Sequence, residues 1–232
     1  MKTGLVGFGY WGKIINSKLQ DNIINPPFDD VDWIFIATPP KTHYNIVKEY
    51  ILKNKNIFCE KPLTLDYKSS KELIDLANEK KVHLYIDNLF TLRDEIKNIK
   101  KIKHLTNIEF IWLKKGPYKD TIFNDLLYHD LYLLIHLLGI SNIDDINYIE
   151  KSNNILIFTF KYNNITVKIN YNRDWDGQKT KIIKMDNNII DLSIPQNDPL
   201  QESINMCLLN KADFEYNHYL SLETIKLLEI FL

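Results

Sequence analysis

Cysteine is scarce: Cys59 and Cys207 are the two in 232 residues, and they lie far apart with no metal-ligand spacing. That scarcity fits a reducing compartment, and no metal is expected. Charge of one sign is also lacking. With 29 basic and 30 acidic residues the formal net charge is −1, so no basic field exists to hold nucleic acid or an anionic membrane. The cluster Lys97, Lys100, Lys101 and Lys103 reads as the solvated face of a helix and its exit. No apolar run approaches the roughly 18 residues needed to cross a bilayer. Repeats and low-complexity tracts are missing too. The first strand, Lys2-Thr3-Gly4-Leu5-Val6, begins at once and leaves no room for a signal peptide, so a cytoplasmic protein is expected.

What is present is ordinary globular material, 45% apolar and 25% charged, enough for one large domain or two small ones. A first strand ends at Leu5-Val6-Gly7, and Trp11 to Leu19 has the spacing of a helix. Asp21 to Asp30, with Asn25-Pro26-Pro27, reads as a loop. Trp33-Ile34-Phe35-Ile36-Ala37 is a continuous apolar run, as a parallel strand covered on both faces requires. A helix over Thr42 to Lys53, a strand at Ile57-Phe58-Cys59, a helix over Ser69 to Lys80 and a strand over Val82 to Ile86 follow. This alternation predicts a parallel α/β layer. Beyond about residue 88 the rhythm changes. A strand near Asn107 to Leu113 and a helix from Phe123 to Leu138 precede hairpin-like strands at Ile155 to Tyr162, Ile165 to Tyr171, Thr180 to Met185 and Ile189 to Leu192. Two closing helices, about Pro199 to Leu209 and Leu220 to Phe231, complete the chain. The fold class expected is α/β: a shortened Rossmann-type parallel sheet domain over residues 1–88, then an α+β domain with an open, mostly antiparallel sheet over residues 89–232.

Gly7-Phe8-Gly9-Tyr10-Trp11-Gly12 follows a strand and opens a helix. Glycines there permit a tight turn and let backbone N–H groups approach a pyrophosphate, or else they serve close strand–helix packing alone. A full dinucleotide site also wants an acidic residue about 20 positions on, at the end of a second strand. Between Gly12 and Asp32 no such strand is legible; Asp21, Asp29 and Asp30 are acidic, yet none ends an apolar run. Thr38-Pro39-Pro40-Lys41-Thr42-His43 lies after the next strand, where an open parallel sheet lines its ligand crevice, with Thr42 as a helix cap. His43 there is either ligand-facing or merely exposed. Lys61, held at a strand end before Pro62, is a cation placed to polarise a carbonyl or alkoxide beside a bound dinucleotide. Asp125 and His129 stand four apart and share a helix face. The carboxylate either orients the imidazole for proton transfer or stabilises the helix's first turn beside a packed histidine.

Taken in order, Gly7 to Gly12, Asp32 to Pro39 with His43, Glu60-Lys61-Pro62, and Asp125-x-x-x-His129 before Leu137-Leu138-Gly139 resemble the Gfo/Idh/MocA family of sugar and cyclitol oxidoreductases. The resemblance implies an NAD or NADP cofactor and a sugar or nucleotide-sugar substrate. It implies that Lys61 is the active-site lysine, that His129 transfers the proton with Asp125 its companion, and that Glu60 holds the nicotinamide ribose. Thr38, Pro39 and His43 would lie along the nicotinamide side, and Gly7, Phe8, Gly9, Tyr10, Trp11 and Gly12 would seat the phosphates. A homodimer or homotetramer through the second sheet is expected. The chain departs from the pattern in its missing second strand and helix, in Leu127 and Tyr132 where Gly and Asp are frequent, in Asp87-Asn88-Leu89-Phe90 without an arginine, and in its short second domain. A member that binds a sugar or nucleotide without redox turnover is the alternative.

Overall fold

The structure is a computed structural model; it describes all residues except 20–22, 25, 27, 100–103 and 117–120. Asp21, Asn25 and Pro27, and the lysines Lys100, Lys101 and Lys103, therefore lie outside the described residues. The chain divides into two compact units, Met1–Leu89 with Asp198–Glu229, and Phe90–Asn197 with Ile230–Leu232.

The first unit is a five-stranded parallel sheet. Its strands are β1 (Thr3–Val6), β2 (Ile23–Ile24), β3 (Trp33–Ile36), β4 (Asn56–Glu60) and β5 (Leu84–Asp87), in spatial order β2-β1-β3-β4-β5. Helices α1 (Tyr10–Leu19), α2 (Pro40–Leu52) and α3 (Tyr67–Lys80) connect them. The alternation inside the apolar runs sorts side chains to two faces. Ile34, Ile36, Ile57, Cys59, Leu84 and Ile86 pack with Val47 and Ile51 of α2 and Leu73, Ile74 and Ala77 of α3. Trp33, Phe35, Phe58 and Tyr85 face the other way and pack with Ile15 and Leu19 of α1.

Two corrections follow. The second strand is present, though only two residues long: Ile23 and Ile24 pair with Thr3 and Gly4. No helix separates it from β3 among the described residues. A strand that short carries no periodicity for a sequence to reveal. The closing helices α6 (Pro199–Leu208) and α7 (Phe214–Leu228), expected in the second domain, belong to the first unit. The reason is burial: α1 alone leaves the Trp33–Phe35–Phe58 face half covered, and Leu200, Ile204 and Cys207 of α6 complete it. From α7, Asn217 accepts from Ile86 N and donates to Ile86 O, both at 2.8 Å, while the His218 ring reaches Leu84 O. These side chains take the hydrogen bonds that an edge strand would otherwise leave open.

The second unit is a six-stranded sheet of β6 (Asn107–Leu113), β7 (Ile143–Lys151), β8 (Ile155–Tyr162), β9 (Ile165–Asn172), β10 (Thr180–Met185) and β11 (Asn188–Asp191), in order β11-β10-β6-β9-β8-β7. All neighbours are antiparallel except β6 with β9. One face is lined by alternate residues such as Leu156, Phe158, Phe160, Val167, Ile169 and Ile183, all buried. On it lies α5 (Tyr128–Leu138), which continues a π-helical turn at Phe123–Leu127 and stops at Gly139 with φ of 79°. The other face stays open; there Glu109 of β6 pairs with Lys168 of β9 and Lys184 of β10. A short helix, α4 (Asp94–Lys97), precedes β6.

Candidate functional site

In the first unit the sequence-predicted residues gather at the carboxyl ends of the strands. Gly7 has φ of 100°, and a Cβ there would stand 2.5 Å from Ala37 O. A Cβ on Gly12 would stand 1.9 Å from Gly7 O. Both glycines are thus required by the chain's own packing. Gly9 is different: nothing lies within 4 Å of where its Cβ would be. Open space beside a glycine at the N-terminal end of α1, with its unpaired N–H groups, suits a diphosphate coming close to the backbone. Phe8, Tyr10 and Trp11 flank it and are exposed. The chain's residues fit a dinucleotide at this turn.

Pro39 is the cap residue of α2 and Pro40 its first helical residue. Thr42 is therefore inside the helix rather than its cap, with its hydroxyl 2.7 Å from Pro39 O and 2.8 Å from Thr38 Oγ1. His43 is neither exposed nor ligand-facing. It is fully buried, with Nδ1 2.8 Å from Pro62 O and Nε2 2.8 Å from Thr38 O. Burial draws its pKa down against the pull of those carbonyls. Its part is to tie the Thr38 loop to the segment that carries Lys61. Lys61 follows β4 directly, and the Lys61–Pro62 peptide is cis. Glu60, the last residue of β4, is paired in register with Asp87, the last of β5, and both are buried. Burial pushes the Glu60 carboxyl up to about 7, with Lys61 pulling it back.

In the second unit His129 sits on α5, almost buried, with Nδ1 3.1 Å from Tyr132 Oη. That hydroxyl also accepts from Phe90 N at 3.1 Å. Tyr132 thus holds the imidazole through Nδ1. The Asp125 carboxylate takes the guanidinium of Arg173 at 2.8 Å. Asp125 lies in the π-helical turn at Phe123–Leu127 and His129 in the α-helix that continues it. Phe90 and Trp112 stand 4.8 and 5.6 Å from the His129 ring, centroid to centroid. Behind them Lys181 of β10 is buried, with its ammonium 3.4 Å over the Trp112 ring and 3.1 Å from Asp130 Oδ1; Tyr171 donates to Asp130 Oδ2 at 2.6 Å.

Sequence reasoning missed Lys181, Arg173, Trp112 and Asp87. Lys181 left a signal, since it occupies an inward position in the alternation Lys181, Ile183, Met185. Asp87 left one too, as a carboxylate closing an apolar strand. A surface groove of about 620 Å³ is lined by Lys48 and Leu52 of α2 and by residues of α3, away from the glycine turn. Among the described residues no His, Cys, Asp and Glu cluster could hold a metal, and no helix is long and apolar enough to cross a membrane.

Comparison with known proteins bears on this geometry. The family model for the oxidoreductase family with NAD-binding Rossmann fold (GFO_IDH_MocA) matches residues 16–88. An uncharacterized oxidoreductase of Streptococcus pneumoniae is 30% identical over 131 residues, 44% of this chain and 36% of that relative, so the matched stretch spans little more than a third of its length. UDP-N-acetylglucosamine 3-dehydrogenase GnnA from Acidithiobacillus ferrooxidans has the same fold at a TM-score of 0.80 and 17% identity, covering 99% of this chain and 96% of its own. The WlbA (WbpB) dehydrogenase from Thermus thermophilus, solved in complex with NAD and UDP-GlcNAcA, follows at a TM-score of 0.78 and 13% identity, with 100% and 86% covered. At such identities these two structures speak to fold alone. Residues 16–88 are thus similar to the NAD-binding Rossmann fold of that oxidoreductase family, and the chain as a whole shares the fold of these structures.

Proposed function

We propose that the protein is an NAD- or NADP-dependent oxidoreductase acting on a sugar or nucleotide sugar. The observation that carries this reading is the glycine turn, where Gly9 keeps open space that no packing demand explains, next to a strand end bearing Glu60 and Lys61. When bound, the nicotinamide accepts or supplies hydride at its ring. The chain's own residues do the rest. Thr38 and Pro39 line the strand end, Glu60 holds ribose, and Gly7 to Gly12 with Phe8, Tyr10 and Trp11 seat the phosphates. Lys61 steadies the reacting oxygen with its positive charge, and His129 exchanges the hydroxyl proton, oriented by Tyr132 and flanked by the Asp125–Arg173 pair. The dehydrogenase names of the structural relatives support a sugar-type substrate. Pairing of copies through the open face of the second sheet is part of the same proposal.

Titration of NADH and NADPH by fluorescence tests the cofactor. Lys61→Ala is then expected to lower turnover by about 10²-fold or more while leaving nucleotide binding and the unfolding midpoint close to native. Unchanged turnover removes Lys61 from the chemistry. A second reading rests on the two-residue β2: so short a strand offers little to an adenosine ribose, and the protein would then bind a sugar or nucleotide without redox turnover. Failure of both nucleotides to bind at about millimolar concentration favours it.

A further inference from the structure

Glu60 closes β4 and Asp87 closes β5, and the register sets them side by side. Neighbouring strands lie about 4.8 Å apart and paired residues point to one face, so the two carboxyls are adjacent. Asp87 is fully buried and Glu60 is 7% exposed. Neither oxygen of Asp87, nor Oε1 of Glu60, has a hydrogen-bond partner among the described residues. The Ser203 hydroxyl donates to Leu200 O at 3.0 Å, and its presence beside Asp87 favours the carboxylate against the larger effect of burial.

Such oxygens cost free energy unless something satisfies them. Two carboxylates this close cannot both be ionised at little cost, whereas an acid–carboxylate pair joins its own oxygens through one strong O–H···O⁻ bond. We propose that Glu60 and Asp87 are never both ionised near neutral pH but hold a proton between them. In this arrangement Asp87 is a positioning residue that sets, through Glu60, the charge presented to the nicotinamide end of a bound cofactor.

The surroundings agree. Burial first, and then the charge of Glu60, push Asp87 well above the usual carboxylate range; burial raises Glu60 as well. The other titratable groups acting on the pair are Cys59 and Lys61 beside Glu60, and Tyr85 and Cys207 beside Asp87. Burial pushes the two thiols and the phenol up, which leaves them neutral. Lys61 is the cation that opposes the shift of Glu60.

The consequence rests on the proposed function. The oxidised nicotinamide ring is cationic and the reduced ring is neutral. A pair holding two protons is neutral; a pair holding one is anionic. Binding of NAD⁺ therefore draws a proton off the pair, and NADH has no such preference. The charge of the site follows the redox state of what it holds.

Carboxyl ¹³C NMR of the full chain, without nucleotide, tests the shared proton directly. Glu60 and Asp87 are expected to titrate together in two steps, with the first near neutrality. Asp87→Asn should leave a single Glu60 step lying between the two steps of the native pair, because it loses both the shared-proton bond that favours the first ionisation and the charge that opposes the second. Glu60→Gln does the reciprocal for Asp87 and serves if the first variant does not fold. In parallel, NAD⁺ affinity should rise about tenfold from about pH 5.5 to 8 while NADH affinity changes less than about twofold. Asp87→Asn should carry that NAD⁺ rise to higher pH. Independent titration of both carboxyls near ordinary values overturns the inference, as does a Glu60 step that Asp87→Asn does not move. Coupled steps with no nucleotide bound at any pH would uphold the shared proton, and would overturn both its link to a cofactor and the proposed function.

Discussion

Gly7, Gly9 and Gly12 are one residue type at three positions with different physical demands. At Gly7 the backbone is in the left-handed region with Ala37 O in the way, and at Gly12 the obstacle is Gly7 O. At Gly9 there is no obstacle at all. Gly9→Ala should therefore fold with an unfolding midpoint near native, and should lose nucleotide affinity by about tenfold or more because its methyl occupies the space a diphosphate needs. Gly7→Ala should cost roughly 2 kcal/mol or more of stability, from strain and overlap together. Urea unfolding and NADH titration of the two variants separate the roles; loss of stability in both, with binding unimpaired in Gly9→Ala, would return the motif to packing alone. The sequence motif by itself could not make this distinction, because spacing records where glycine stands and not what stands opposite. His43 shows the same limit. Its position in the first turn of a helix left it open between facing a ligand and being merely exposed, but the carbonyls of Thr38 and Pro62 that enclose it come from separate segments of chain.

Elements whose burial is periodic were legible, and elements shaped by an edge were not. Strands β3, β4 and β5 read as continuous apolar runs because both of their faces are covered. Strands β8, β9 and β10 read as alternation because one face is open. Strand β7 went unseen: it is a mostly exposed edge with two register shifts and a positive φ at Asp145, so no face of it repeats. Helix α7 begins at Phe214, well before the expected Leu220, and its polar residues Asn217 and His218 serve the edge of β5. Within the second unit, β10 meets α5 through a buried ion pair. Lys181 meets Asp130 and the Trp112 ring in surroundings that exclude water. Lys181→Met removes the ammonium beside the buried Asp130 carboxylate, and should destabilise the protein by about 3 kcal/mol. Adding Asp130→Asn should restore most of that, because the amide needs no counter-charge. Urea midpoints of the single and double variants measure the coupling. Additive losses would mean that the pair contributes nothing as a pair.

At the scale of the whole chain, the first unit is made of discontinuous sequence. Residues up to Leu89 supply every strand of its sheet, yet one face of that sheet is completed only by residues from 198 onward. Leu200, Ile204 and Cys207 cover Trp33, Phe35, Phe58 and Tyr85, aromatic side chains that would otherwise meet water. Each such side chain is worth roughly 1.5–3 kcal/mol when buried, so uncovering part of this face removes as much free energy as a domain has to spare. The hydrogen bonds of Asn217 to Ile86 go with it, and they also shield the outer edge of β5. A chain ended after Asn197 should therefore fail to hold its first unit: its amide protons there should exchange rapidly while those of β8 and β9 stay protected, and the exposed aromatic face should drive association. Hydrogen exchange resolved by mass spectrometry reads the two units separately in one sample. Full protection of β3, β4 and β5 in the shortened chain would show that α1, α2 and α3 suffice. The placement of α6 would then be an accessory to this fold and not a condition of it.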